Sequence, residues 1–396
     1  MNYRIPEKLN RNTRNLILEV AEKGRRIPGF ISLAMGNPAE EAIPADLIRT
    51  CTAEVLEEDP IGLLQYGPMT GDADLMEWVK RRMVRDKGCA AEGNRVILLS
   101  GSGKGLSLMP RTLCQEGDEA YCDDFCFMNA TANIRNVGAA AIGIPGDDQG
   151  MIPEALEERA KSGKGKYIYL IPNFHNPMGL TIPLQRRKDL YAVAAKYELM
   201  IYEDDPYGDI RFAGEPVPSF KSMDTDGRVV YAGSFSKSLS AGLRVGYLYV
   251  PDGLAGALSA VKTADGQEPL LNQRIVGRCL SKLDFNEYLK TVSRIYGHKC
   301  ALMAETLRSC CSGRCRIMVP EGGMFIWVEM PSDVDMEAVN DAAISAGVGV
   351  VPSAAFAVDE AKPGHAFRLN FSALPDEKLI RGAELFGEVT RKFCDS

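Results

Sequence analysis

From Val96 to Val250 the sequence alternates short, almost unbroken apolar runs with stretches of helical period, and this alternation constrains the fold more than any other feature. "RVILLS" precedes "LSLMPRTLCQEG", "KYIYLI" precedes "LQRRKDLYAVAAKY", and "LMIYED", "VVYAGS" and "VGYLYV" follow. A strand with one wet face alternates apolar and polar residues, so a run without polar breaks must be covered on both faces. Such strands, joined by helices, make a mostly parallel sheet flanked by helices. From Phe285 the texture changes to a long charged helix, "FNEYLKTVSRIYGHKCALMAETLRSCC", then strand-like "MFIWVEM", a helix "DMEAVNDAAISAG", strand-like "FRLNFSA" and a last helix from Pro375. The chain therefore reads as α/β. A large domain over 46–284 carries the mostly parallel sheet, a smaller α+β domain covers 285–396, and 1–45 is an N-terminal arm and part of the small domain.

In open parallel sheets ligands collect beyond the carboxyl ends of the strands, so the residues that follow each apolar run are the candidates for chemistry. After "RVILLS" comes "GSGKG", Gly101 to Gly105, at a helix start. Free N–H groups there suit a phosphate, and a plain helix-start turn is the bland alternative. The stretch is not a P-loop, because Lys104 is followed by Gly105, and not a dinucleotide fingerprint, because its third glycine comes one residue early. "LMIYEDDPYGDIRF" ends a strand on Glu203, Asp204 and Asp205. Consecutive acids are usually solvated or bind a cation. Tyr202, Pro206 and Tyr207 argue instead for an enclosed turn, where a carboxylate needs a cationic partner such as a protonated heterocyclic nitrogen.

The stretch "YAGSFSKSLSAGLRVGYLYV", Tyr231 to Val250, has apolar ends and a polar middle that holds Lys237. A lysine in an apolar interior must find a partner or lose its proton. Ser234, Ser236 and Arg244 can converge on a phosphate dianion, which leaves Lys237 as a nucleophile beside it. "SFSK" also fits a Ser-x-x-Lys hydrolase pair through Ser234, but a hydrolase gives no reason for Arg244 or for the acids one strand earlier. In "IPNFHNPMGL", Asn176 before Pro177 is a turn former, or an amide that serves a phenolate-like oxygen and a carboxylate together. Arg368 in "AFRLNF" has apolar neighbours, where an arginine is rare unless it grips an anion. Taken in this order, the groups describe a pyridoxal phosphate site with an amino-acid substrate.

Charge and cysteine usage narrow the setting. With 46 Lys and Arg against 53 Asp and Glu, the net charge is -7 and the basic residues are scattered, so nucleic acid is not an expected partner. The start has no secretory signal and nothing reaches the apolar length of a membrane span, so a cytoplasmic enzyme without membrane contact is expected. The 11 cysteines are odd in number and spread out, which argues against a disulfide framework, and Cys310, Cys311 and Cys315 match no zinc spacing. No metal is expected.

With these residues in view, the sequence resembles the fold-type I pyridoxal-phosphate enzymes, specifically class I/II aminotransferases of the aminoadipate/kynurenine and multi-substrate subgroup. The resemblance runs from "ISLAMGNP" to the C-terminal helix and rests on "NPMG", "EDDPYGDIRF", "GSFSKSLSAGLRVGY" and "GGMFIWVEMP". It implies that Lys237 bonds covalently to the cofactor, that Asp204 pairs with the pyridine nitrogen, and that Asn176 and Tyr207 hold the ring hydroxyl while Phe127 stacks on the ring. Ser102, Gly103, Ser234, Ser236 and Arg244 would bind the phosphate, and Gly36 and Arg368 would flank the substrate carboxylate. Tyr66, in "LLQYGPMTG", resembles the tyrosine that reaches the phosphate of a neighbouring subunit, which implies a homodimer with shared active sites.

The sequence departs from the family pattern at Gly103 and Lys104, at Phe127 in place of a tyrosine, and at His175 in place of glutamine. Some dicarboxylate-using relatives carry an arginine in the N-terminal helix; "NLILEVAEKG" has none, although Arg14 lies just before it. The expected reaction is ping-pong transfer of an amino group from an aromatic, large aliphatic or aminoadipate-like L-amino acid to a 2-oxo acid such as 2-oxoglutarate. The rivals are a carbon-sulfur β-lyase on the same scaffold and a cofactor-sensing regulator, the latter without a basic DNA-reading segment in this chain.

Overall fold

The structure is a computed structural model and describes residues 16–395. Seven strands form the central sheet: β1 (Asn94–Leu99), β2 (Glu119–Asp123), β3 (Ala140–Ile144), β4 (Gly165–Leu170), β5 (Met200–Asp204), β6 (Val229–Ser234) and β7 (Gly246–Pro251). Their spatial order is β1-β7-β6-β5-β4-β2-β3. All neighbours run parallel except β7, which is antiparallel to both β1 and β6. The reason is local. β6 and β7 are joined by 235–245, which holds no helix and is too short for the crossover a parallel return needs.

Both faces of the sheet are covered, as the unbroken apolar runs require. Along β4, Tyr167 and Tyr169 enter one hydrophobic cluster while Ile168 and Leu170 enter another. Along β7, Leu248 and Val250 face the first cluster and Tyr247 and Tyr249 a third. Burying a side chain of this size contributes roughly 1.5–3 kcal/mol, so both faces are held strongly.

A second, four-stranded antiparallel sheet comprises β8 (Arg316–Met318), β9 (Phe325–Glu329), β10 (Val351–Pro352) and β11 (Ala366–Asn370), in the order β8-β9-β11-β10. The helices Phe285–Cys310 and Asp376–Cys394 pack on each other beside it. The N-terminal segment ties in here: Ile31–Ser32 pairs in parallel with Val348–Gly349, and the Asn370 N–H donates to the Leu33 carbonyl at 2.7 Å. Residues 34–37 are thereby carried to the carboxyl edge of the central sheet. Among the described residues no helix is long and apolar enough to cross a membrane, and all eleven cysteines are free thiols.

Candidate active site

Residues that follow β1, β2, β4, β5 and β6 meet residues 34–37 and Arg368 of β11 around one cavity of about 360 Å³. Of the residues singled out in the sequence, Gly36, Ser102, Gly103, Phe127, Asn176 and Asp204 line it. So do Tyr207, Ser234, Ser236, Lys237, Arg244 and Arg368. Tyr66 does not: it is 91% exposed, outside this cavity. Arg14 falls outside the described residues.

The three consecutive acids separate because side chains on a strand alternate in direction. Glu203 is fully buried behind the sheet and accepts from the N–H groups of Phe220 at 2.9 Å and Lys221 at 2.8 Å. Asp205 accepts from Asn173 Nδ2 at 2.9 Å and the Tyr231 hydroxyl at 2.8 Å, with Lys87 Nζ 3.9 Å away. Asp204 alone of the three lines the cavity. Its Oδ2 accepts from the Tyr169 hydroxyl at 2.8 Å, and its buried Oδ1 has no partner. Burial pushes this carboxyl up to about 7, against the Tyr169 hydrogen bond and with the help of the neighbouring Asp205 charge. A buried carboxylate with an idle oxygen is a site waiting for a cationic donor.

Lys237 Nζ donates to the Gly36 carbonyl at 2.7 Å. Loss of hydration, then the positive charges of Arg244 and Arg368, bring its ammonium down to about 8. The amine is thus half neutral near pH 8, far more than an ordinary lysine, and the neutral form is what a nucleophile or a proton carrier requires.

Arg368 lies between the rings of Phe325 and Phe356, at 4.2 and 4.8 Å from their centroids. Its Nη1 donates to Asn176 Oδ1 at 2.8 Å and its Nη2 to the Ala34 carbonyl at 2.5 Å. Its buried Nε has no partner, and burial lowers the guanidinium to about 10. Tyr207 is buried next to it, its phenol pushed up by burial, with its ring edge-on to Phe325 at 5.9 Å.

At the other end of the cavity begins the helix Gly103–Leu113, whose Lys104 and Gly105 N–H groups donate to the Gly101 and Ser102 carbonyls at 3.1 and 2.8 Å while no backbone partner among the described residues takes the Gly103 N–H. Arg244 Nη1 donates to Ser236 Oγ at 3.3 Å, and Ser234 Oγ accepts from the Ser236 N–H at 3.1 Å. Arg244 holds a left-handed φ of +50°, an arrangement costly enough for a non-glycine residue that it survives where packing dictates it. Glycine suits the position opposite, because Gly101 holds a φ of +86° and a Cβ there would also displace Arg244 Nη2, 2.3 Å away. Gly103 and Arg244 are exposed in the single chain, so this end of the cavity is open. Lys104 turns away from it to Asp265, at 2.7 Å, and His175 Nε2 faces Asp123 Oδ2 at 3.3 Å.

Tyr169 escaped the sequence reading, as did the apolar lining from Ile17, Met35, Leu106 and Phe325. Tyr169 pairs with Tyr202 across β4 and β5, and Asp204 lies two residues beyond Tyr202 on the same face. The signal was the period of two, but it becomes readable only once the register between the strands is known.

The description of the aminotransferase class I and II family matches residues 28–386, and the chain belongs to that family. It is a pyridoxal-phosphate-dependent transaminase of fold type I. Its sequence is 32% identical to aromatic-amino-acid aminotransferase 1 of Thermococcus litoralis, over 91% of this chain and 88% of that one. It is 31% identical to 2-aminoadipate transaminase of Thermus thermophilus, over 92% and 91% of the two chains. Among solved structures, kynurenine aminotransferase of Pyrococcus horikoshii in complex with PMP superposes with a TM-score of 0.93 at 29% identity, covering 98% of this chain and 97% of that one.

Proposed function

We propose that the donor is an L-amino acid with an aromatic, large aliphatic or aminoadipate-like side chain, that the acceptor is a 2-oxo acid such as 2-oxoglutarate, and that the residues above carry the transfer. One observation bears most weight: the partnerless buried oxygen of Asp204 shares a cavity with Lys237 and Arg368. Pyridoxal phosphate fits this donor set, because Asp204 Oδ1 can accept from its ring nitrogen. Arg244, Ser234, Ser236, Ser102 and the helix start at Gly103 can receive its phosphate. Asn176 and Tyr207 would hold the ring hydroxyl, and Phe127 would pack on the ring. When bound, the cofactor supplies a covalent link to the amino group and a sink for the electrons left at Cα.

The chain's own residues do the rest. Arg368, with Gly36 beside it, holds the substrate carboxylate and so fixes which bond at Cα faces the sink. Lys237 Nζ, in the neutral form that its lowered value makes accessible, takes the proton from Cα and later returns one. Asp204 keeps the ring nitrogen's proton in place in a buried setting. Among the described residues, apolar Ile17, Met35, Leu106 and Phe325 also line the cavity, and the cations that line it are Lys237, Arg244 and Arg368. All three are used by the roles just given, and the apolar lining from the described residues suits an aromatic or large aliphatic side chain.

The test is an absorbance titration of the holoprotein with single amino acids, followed by 2-oxoglutarate. The expected result is that an aromatic or large aliphatic amino acid bleaches the visible cofactor band and the oxo acid restores it. Release of ammonia with no need of an oxo acid would replace transfer with β-elimination.

The same reading includes a cytoplasmic homodimer whose active sites are shared. Its support is the exposed apolar run of Ile61 at 76%, Leu64 at 71% and Tyr66 at 91%, together with the open phosphate end of the cavity, which Tyr66 of a second copy would close. Eleven free thiols suit a reducing compartment. Sedimentation of protein drawn from the cytosolic fraction is expected to give twice the chain mass; the mass of one chain would remove the shared site.

A further inference from the structure

We infer that Tyr169 is a positioning residue that decides where the proton between Asp204 and the cofactor's ring nitrogen rests. The inference depends on the assignment of Asp204 proposed above. The two oxygens of Asp204 have different surroundings: Oδ2 takes the Tyr169 hydroxyl at 2.8 Å, and Oδ1 is free for another donor. Of the other polar groups nearby, Asp205 is engaged with Asn173 and Tyr231 and His175 with Asp123, while the buried Tyr202 hydroxyl has no partner and makes no hydrogen bond to Asp204.

The phenol is braced from behind. The Tyr169 ring stacks on Tyr202 at 5.8 Å and 23°, and Tyr202 is confined by the helix start, where a Cβ on Gly105 would fall 2.2 Å from its hydroxyl oxygen. Gly105, unexplained by any phosphate motif, thus serves the tyrosine pair. A carboxylate that already accepts one hydrogen bond holds a second proton less tightly, so a proton shared with a ring nitrogen stays on nitrogen and the ring stays cationic. Without Tyr169 the burial of Asp204 favours the neutral acid, and the proton shifts to Oδ1.

The experiment uses holoprotein reconstituted with pyridoxal phosphate labelled with nitrogen-15 in the ring. In Tyr169→Phe the nitrogen signal is expected to move toward the neutral-pyridine position, and the apoprotein's affinity for pyridoxal phosphate to fall about tenfold, the scale of one hydrogen bond to a charged group. Tyr202→Phe, which keeps the stack, is expected to leave the signal in place. If Asp204→Asn moves the signal and Tyr169→Phe does not, Tyr169 is packing and the inference falls. If Asp204→Asn also leaves it unmoved, the assignment of Asp204 falls first. Should Tyr169→Phe fail to fold, 4-aminophenylalanine at 169 keeps the shape and offers a weaker donor; the signal must then move part of the way toward the neutral-pyridine position, and no movement refutes the idea.

Discussion

Lys237→Ala is expected to slow amino-group transfer by about 10⁴-fold or more while the protein still takes up pyridoxal phosphate. The retained binding follows from the layout: Arg244, Asp204 and Asn176 come from other parts of the cavity wall and do not depend on the lysine. The lost rate follows from Lys237 Nζ being the amine at about 8 that faces Gly36 and the substrate end of the cavity. Single-turnover absorbance with one amino acid measures it, and a small added amine should restore part of the rate by carrying the proton instead. Near-normal turnover in the variant would remove Lys237 from the mechanism. The same amine sets a pH dependence in the wild-type apoprotein. Only the neutral form attacks a carbonyl, so the rate of cofactor capture should rise with pH around a midpoint near 8 instead of near the ordinary lysine value of about 10.4.

Asp204→Asn is expected to cost about 10³-fold in turnover, the scale of breaking a buried charge pair of roughly 3–5 kcal/mol. An amide keeps the shape and the Tyr169 contact but cannot hold a proton on the ring nitrogen. The apoprotein should respond in the opposite sense. Asp204 titrates near 7 when folded and near the ordinary carboxyl range when unfolded, so between those values the folded state binds more protons and stability falls as pH rises. At pH 8 the wild-type apoprotein carries this buried charge unpaired, and Asp204→Asn should melt at a higher temperature than wild type. At pH 4 the two should converge. A variant that is less stable at pH 8 would show that Asp204 is not burdened by burial. Loss of activity with gain of apoprotein stability is the pattern of a residue kept for function.

Much of this was legible in the chain. Unbroken apolar runs require two covered faces, so the central sheet and its helices follow from pattern alone, and the ligand rule for parallel sheets pointed to the turns after each run. Lys237, Asp204 and Arg368 stood out because charged residues in apolar surroundings demand partners. The separation of Glu203, Asp204 and Asp205 into three environments was half legible, since alternation is a property of any strand but the partners are not.

What the sequence determined by itself were local quantities: periodicity, the order of the chemical groups and the places where a charge could not rest unpaired. Only the tertiary structure decided which groups meet. Tyr169 reaches Asp204 through the register of two strands, Lys237 reaches Gly36 across 201 positions, and Arg368 reaches Ala34 across 334. Contacts at such separation depend on how whole elements pack, and packing sums many weak terms that no single stretch of sequence contains.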